Sequence, residues 1–222
     1  MKKIILAAIL TMFASSVAYA GVNIGVSGQM GLFAGSATEN DTGTHGTTSG
    51  PDEKNKEADY LGLGYMSIFI EKTLGDRGFI GFDYVPSALE SETKDQIRND
   101  QTTAATSTEV TQKIQVDFED LRKIYLGLNV TDNMYVSAGL LYVDVVTNEK
   151  LGTGSKYGNT DMDGVAFGVG YNNTMDSGMF IRFEGNYLSF DGASLKSDTG
   201  ANKITINNLD GVTGKVSIGK SF

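Results

Sequence analysis

The chain has no cysteine, only two prolines and a single histidine among 222 residues. The absence of cysteine excludes a disulfide framework and a lipid-modified amino-terminal cysteine. Basic residues are scarce as well. Lys2 and Lys3 lie in the first twenty residues, which leaves 16 basic against 27 acidic side chains in the remainder, a formal charge of −11. So acidic a chain does not suit nucleic acid, whose phosphates demand clustered lysine and arginine. Beyond the amino terminus no stretch approaches the roughly 20 apolar residues of a spanning helix. Glycine is what abounds, 28 residues in all. With so few prolines and few helix-period runs, the composition favours an all-β chain.

The first twenty residues read as a secretory signal: Lys2 and Lys3, an apolar core from Ile4 to Phe13, and the small-residue site Ala18-Tyr19-Ala20. Cleavage after Ala20 is expected, leaving residues 21–222 as one domain.

The closing stretch, Gly211 to Phe222, organises the rest. Val212, Val216, Ile218 and Phe222 share one parity; Thr213, Lys215, Ser217 and Ser221 share the other. That is a strand with one apolar and one polar face. The same alternation recurs seven times before it. The first strand runs from about Val22 to Ala34 and the second from about Tyr60 to Leu74, where Leu61, Leu63 and Tyr65 take the parity opposite to Met66, Ile68 and Ile70. Gly75-Asp76-Arg77-Gly78 is a tight turn, followed by a strand with Ile80, Phe82 and Tyr84, which Pro86 ends. The fourth strand spans about Ile114 to Val130. Later strands are centred on Val136–Tyr142, Val165–Tyr171 and Met179–Tyr187. Between them lie long polar segments, about 35–58, 87–112, 148–160 and 191–202. The second of these reads as a mobile loop.

A soluble periplasmic barrel would also alternate, with its apolar face inward. Three features point instead to a membrane barrel. The connections alternate long and short, as periplasmic turns and external loops do. The apolar rows end in Tyr84, Tyr142 and Tyr187 at one height and in Tyr171 and Phe222 at the other, which gives two aromatic girdles. The opposite face carries Glu71, Asp83, Lys123, Arg182, Glu184, Asn186 and Lys215, which would point into a lumen too narrow to leave them unpaired. A paired polar network is therefore expected, with the small inward residues of the sixth strand making room for Arg182 and Glu184. Lipid offers no partner for backbone groups, so the first and last strands must pair. The expected fold is an eight-stranded antiparallel up-and-down transmembrane β-barrel, with both termini on the periplasmic side.

With Ala18-Tyr19-Ala20, the strand count, the loop asymmetry and Val216-Ser217-Ile218-Gly219-Lys220-Ser221-Phe222, the chain resembles the small eight-stranded outer-membrane proteins: the outer-membrane protein A-like transmembrane domain and the opacity-like proteins. The resemblance covers residues 21–222 as architecture. It implies a bacterial outer-membrane location and contact with outer-membrane lipid and lipopolysaccharide. It also implies recognition of the closing strand by the barrel assembly machinery, with Phe222 as the signal. Lys220 departs from the pattern, since that position is usually aromatic or apolar; a lysine at the interface can snorkel.

No cofactor, metal or catalytic residue is implied. Asp161-Met162-Asp163-Gly164 lacks the closing glutamate of a calcium loop and reads as the polar start of a strand. Gly152-Thr153-Gly154-Ser155 lacks the lysine of a phosphate loop. His45 has no identifiable partner and reads as a loop residue. The acidic loops carry Glu39, Asp41, Asp52, Glu53, Glu57, Glu90, Glu92, Asp95, Asp100 and Glu109. They read as solvated chain, with an external partner or cation bridging to lipopolysaccharide as the functional reading. The expectation is a monomeric, non-enzymatic surface-presenting barrel. A narrow pore for ions or small solutes is the leading alternative, and a lipid-modifying enzyme the next.

Overall fold

The computed structural model describes residues 21–41, 44–45, 48–49, 53–91, 94–103, 106–150, 156–198 and 202–222. The expected signal segment lies outside them. Eight long strands form one antiparallel ring: β1 (Val22–Asp41), β2 (Glu53–Leu74), β3 (Gly78–Tyr84), β4 (Thr106–Asn129), β5 (Met134–Lys150), β6 (Thr160–Thr174), β7 (Met179–Phe190) and β8 (Asn202–Ser221). Each pairs with its neighbour in sequence, and β1 pairs with β8 to close the ring. The seam runs from Asn23↔Ser221 to Asp41↔Asn202. Beyond its lower end the Gly21 amide donates to the Phe222 carbonyl at 2.7 Å.

The short turns follow local chemistry. Gly75 and Gly178 take positive φ, 60° and 80°, where a Cβ would be strained. At the middle turn the Thr131 hydroxyl accepts from the Met134 amide at 2.9 Å, a side chain standing in for a turn carbonyl.

The strands run well past their expected ends on the side away from these turns. β1 continues through Asp41, β2 begins at Glu53, and β5 reaches Lys150. The long polar segment near residue 100 is not the mobile loop that its composition suggested. Leu89–Glu90 and Lys94–Thr103 are strands paired along β4. This hairpin lies outside the ring, so the barrel remains eight-stranded. Ala193–Lys196, in the last expected loop, pairs with β8. The reason for these extensions is cooperative. A neighbour already fixed by the barrel offers backbone partners one after another, and that ladder does not require apolar side chains. Asp161–Gly164 falls within β6, as a strand start.

One irregularity re-aims a strand. Asp120 sits at φ 53° where the β4–β5 register shifts between Glu119 and Arg122. An inserted residue flips the parity of everything beyond it. Leu121 and Lys123 face inward below the bulge, and Phe118, paired with the buried Val145, faces inward above it.

Candidate functional site: the filled lumen and the apolar belt

Alternation places every second side chain inside the ring. At mid-height the interior holds a compact set of charges. Arg182 on β7 forms a two-pronged pair with Glu71 on β2, Nη1 to Oε1 at 2.5 Å and Nη2 to Oε2 at 3.0 Å. Glu71 also accepts from the Tyr125 hydroxyl at 2.7 Å and from Asn23 Nδ2 at 3.1 Å. A planar guanidinium and a carboxylate match in this geometry, which is the strong form of the ion pair. Above it, Lys215 on β8 donates to Asp83 on β3 at 2.8 Å and stands 3.6 Å from Glu184. Lys123 on β4 reaches Glu184 at 3.5 Å and Asn186 at 3.4 Å, and the Tyr135 hydroxyl donates to Glu184. The six residues singled out from the sequence, Glu71, Asp83, Lys123, Arg182, Glu184 and Lys215, thus meet in one layer. Three carboxylates face three cations, so the layer is neutral without a mobile ion.

The lumen also holds apolar side chains, beyond the paired polar network expected from the sequence. Five aromatic residues share the charged layer. The Arg182 guanidinium lies 5.0 Å from the ring centres of Tyr135 and Phe180, 5.6 Å from Phe69 and 5.8 Å from Phe79. Lys123 Nζ lies 4.8 Å from the Tyr125 ring. These faces are favourable neighbours for a desolvated cation. Glycines on adjacent strands admit the rings. A Cβ on Gly127 would stand 2.0 Å from Phe79, one on Gly170 2.2 Å from Tyr135, and one on Gly81 2.2 Å from Tyr125. Above the charges the interior turns apolar. Phe33, Tyr65, Val85, Leu121, Leu141, Val143, Val145, Leu188 and Phe190 belong to one buried cluster. Between cluster and charges a cavity of about 20 Å³ remains, bordered by Gln29, Asp83, Lys123, Asn186 and Thr213. It has room for about one water molecule, and the buried Thr213 hydroxyl beside it has no protein partner.

The sequence carried a signal for this plug. Adjacent apolar residues of opposite parity occur at Leu32/Phe33, Tyr65/Met66, Leu140/Leu141 and Tyr187/Leu188. One member of each pair faces out and the other in. The reversed parity of Leu61, Leu63 and Tyr65 marks where the surroundings of the barrel change from hydrocarbon to water, so that apolar groups turn inward.

Outside, the lower part of every strand presents an apolar face. Ile24, Val26, Met30 and Leu32 on β1, Leu126 and Leu128 on β4, Val165, Phe167 and Val169 on β6, and Val212, Val216 and Ile218 on β8 are all exposed. Phe183 is 54% exposed while its neighbour Arg182 is 5% exposed. This inverts the arrangement of a water-soluble core. On β7, Met179 to Tyr187 is nine residues from the turn end to the outer girdle, within the roughly 9–11 that a tilted strand needs to cross a bilayer. Among the described residues no helix is long and apolar enough to cross a membrane. Tyr84 and Tyr142 share one ladder row with Arg122 between them. Tyr84 donates to Asp120 at 2.7 Å and Tyr187 to Asp210 at 2.9 Å, so rings and acids meet at the outer girdle. Tyr171 and Phe222 are exposed at the turn end, where Lys220 Nζ lies 5.7 Å from the Phe222 ring.

A closed ring with an apolar outer belt and its charges paired inside is decisive for a bilayer. This is an outer-membrane β-barrel fold. The crystal structure of the outer membrane protein OprG from Pseudomonas aeruginosa is similar to it, with a TM-score of 0.53 at 13% identity over 91% of this chain and 96% of OprG. The outer membrane protease OmpT from Escherichia coli matches at a TM-score of 0.45 and 9% identity, over 94% of this chain and 100% of OmpT. At such identities the likeness concerns fold alone, and OprG carries it. No family model matches the chain, and no curated protein matches it. The belt and the closure suit a barrel that spans a bilayer.

Among the described residues no group of histidine, cysteine or acidic side chains could hold a metal ion. His45 pairs through its backbone with Thr48, and its side chain lies outside the described residues, as do Asp52, Glu92 and residues 152–155.

Proposed function

We propose that the protein is a monomeric barrel that anchors in the outer membrane, stays closed to solutes and presents its extended outer strands at the cell surface. The filled lumen is the observation that supports this. The ion pairs and rings occupy the middle, the apolar cluster sits over them, and the one cavity bordered by Asp83, Lys123 and Thr213 has room for about one water. An ion moving through would have to shed its water against the apolar cluster, which disfavours conduction. Outer-membrane lipid and lipopolysaccharide are the partners of the belt and girdles. The exposed Phe222 closes β8 and is the signal read by the assembly machinery. No catalytic role is assigned.

The test is conductance in a planar bilayer. The purified barrel gives no steady current steps. A steady conductance that falls when Arg182 or Lys215 is replaced by a bulky neutral residue establishes the narrow pore instead. A changed lipid A mass that returns to normal in the His45→Ala variant establishes the enzyme.

A further inference from the structure

β2 is paired on both sides over only part of its length. β1 lines one side without a break, from Val22↔Lys72 to Asp41↔Glu53. On the other side β3 pairs only between Ile68↔Tyr84 and Leu74↔Gly78. Past Tyr84 the chain leaves β2 and follows β4. The Val85 amide donates to the Leu121 carbonyl at 3.0 Å, and the Ser91 amide to the Val116 carbonyl at 2.9 Å. Among the described residues no strand covers the second edge of residues 53–67.

Which backbone groups line that edge follows from parity. In an antiparallel ladder, alternate residues turn both N–H and C=O to the same side. The Tyr60 amide is taken by the Asp59 carboxylate at 2.8 Å, so Tyr60 faces the open side. The β1–β2 register has no shift. Lys54, Lys56, Ala58, Gly62, Gly64 and Met66 therefore face it too. Leu61 and Leu63 are committed to β1 and point their side chains into the barrel. The side chains on the outer face are exposed, Tyr60 at 83%.

An edge with neither bulge nor proline is a template for another strand, and charges, lysine above all, are the usual guard against that. Here the lysines guard only the upper part. From Tyr60 to Ile70 there is no charge, and Gly62 and Gly64 leave the outer face flat. We propose that the edge from Lys54 to Met66 is a docking site at which an extended segment of an external protein adds as a strand beside β2. Only an extended backbone supplies donors and acceptors at this spacing, so a lipid tail or headgroup does not fit. The recognised segment carries acidic side chains opposite Lys54 and Lys56 and an aromatic ring over Gly62 and Gly64. Its other face is apolar, toward the half-buried Leu61 and Leu63. This rests on the surface-presenting reading and names how that contact is made.

The test uses the full chain in lipid nanodiscs. The probe is a synthetic peptide that alternates threonine with two glutamates, two valines and two tyrosines, together with its reversed sequence to cover both strand directions. Amide hydrogen exchange is read by NMR. In the free protein the amides of Gly62 and Gly64 exchange at least tenfold faster than those of Leu61 and Leu63. Saturating peptide slows them at least tenfold. Gly62→Pro deletes a donor the barrel does not use. That variant keeps heat-modifiable gel migration and loses peptide protection, whereas Leu63→Pro, which breaks the β1 ladder, loses the migration itself. Four results overturn the proposal: Gly62 and Gly64 amides already as slow as Leu61; no slowing by either peptide at millimolar concentration; a Gly62→Pro variant that does not fold; or protection that needs no peptide and grows with barrel density, which would assign the edge to a second copy. The conductance test above does not depend on any of these, so the two readings fail separately.

Discussion

Arg182→Leu is the sharpest test of how the lumen is held. The change deletes both hydrogen bonds to Glu71, at 2.5 and 3.0 Å, and removes a cation enclosed by four rings. Glu71, which is 0% exposed, keeps only Tyr125 and Asn23 as donors. Two hydrogen bonds to charged groups are worth about 1.5–3 kcal/mol each. Removing one partner of a buried pair costs about 3–5 kcal/mol by mutational precedent, so the two routes agree on about 3–5. Glu71→Leu leaves the guanidinium without its carboxylate and loses a similar amount. Arg182→Leu combined with Glu71→Leu leaves no stranded charge and costs about 1 kcal/mol or less, since apolar replacement of a buried pair is often neutral. With singles of at least about 3 kcal/mol each and a double of about 1 or less, the coupling between the two sites is at least about 5 kcal/mol. The assay is equilibrium urea unfolding in phospholipid vesicles. The chain has no tryptophan, so tyrosine emission and gel migration report the transition. Single variants that lose less than about 1 kcal/mol, or a double variant that loses the sum of the singles, would refute the reasoning.

Further outcomes follow from the packing. Gly127→Ala brings a Cβ to 2.0 Å from the Phe79 ring and lowers stability by about 1–3 kcal/mol in the same unfolding assay. Gly185→Ala, where nothing lies within 4 Å, is neutral or slightly stabilising. Val216→Lys puts a charge in the outward belt and costs about 2–4 kcal/mol in vesicles, whereas Lys220→Leu at the rim changes stability by less than about 1 kcal/mol. Deleting Phe222 sharply lowers the yield of heat-modifiable protein in the outer-membrane fraction, and an unchanged yield would remove its assembly role.

The strands and their inner and outer faces were legible because a period of two depends only on neighbouring side chains. Val216 and Lys215 differ in what they can tolerate, and the chain states that difference locally. Closure was legible for a similar reason, since a strand in hydrocarbon has to find a partner for every backbone group. The candidate lumen residues could be named from parity alone, and so could the need for small residues beside Arg182.

Three things required the folded molecule. Which cation meets which carboxylate is one: Arg182 and Glu71 are 111 positions apart, and their pairing depends on the stagger of the ring. The apolar plug is another. Leu141, Leu188 and Phe33 lie far apart in sequence and become one cluster only when the cylinder brings their inward faces together, and until then their parity reads as noise beside Leu140 and Tyr187. The outer ladders are the third, because polar strands such as Lys94–Thr103 form by adding to a neighbour that the barrel has already fixed. Alternation is a property of adjacent residues and can be read along the chain, whereas register and enclosure are relations between distant ones, set only when the ring closes.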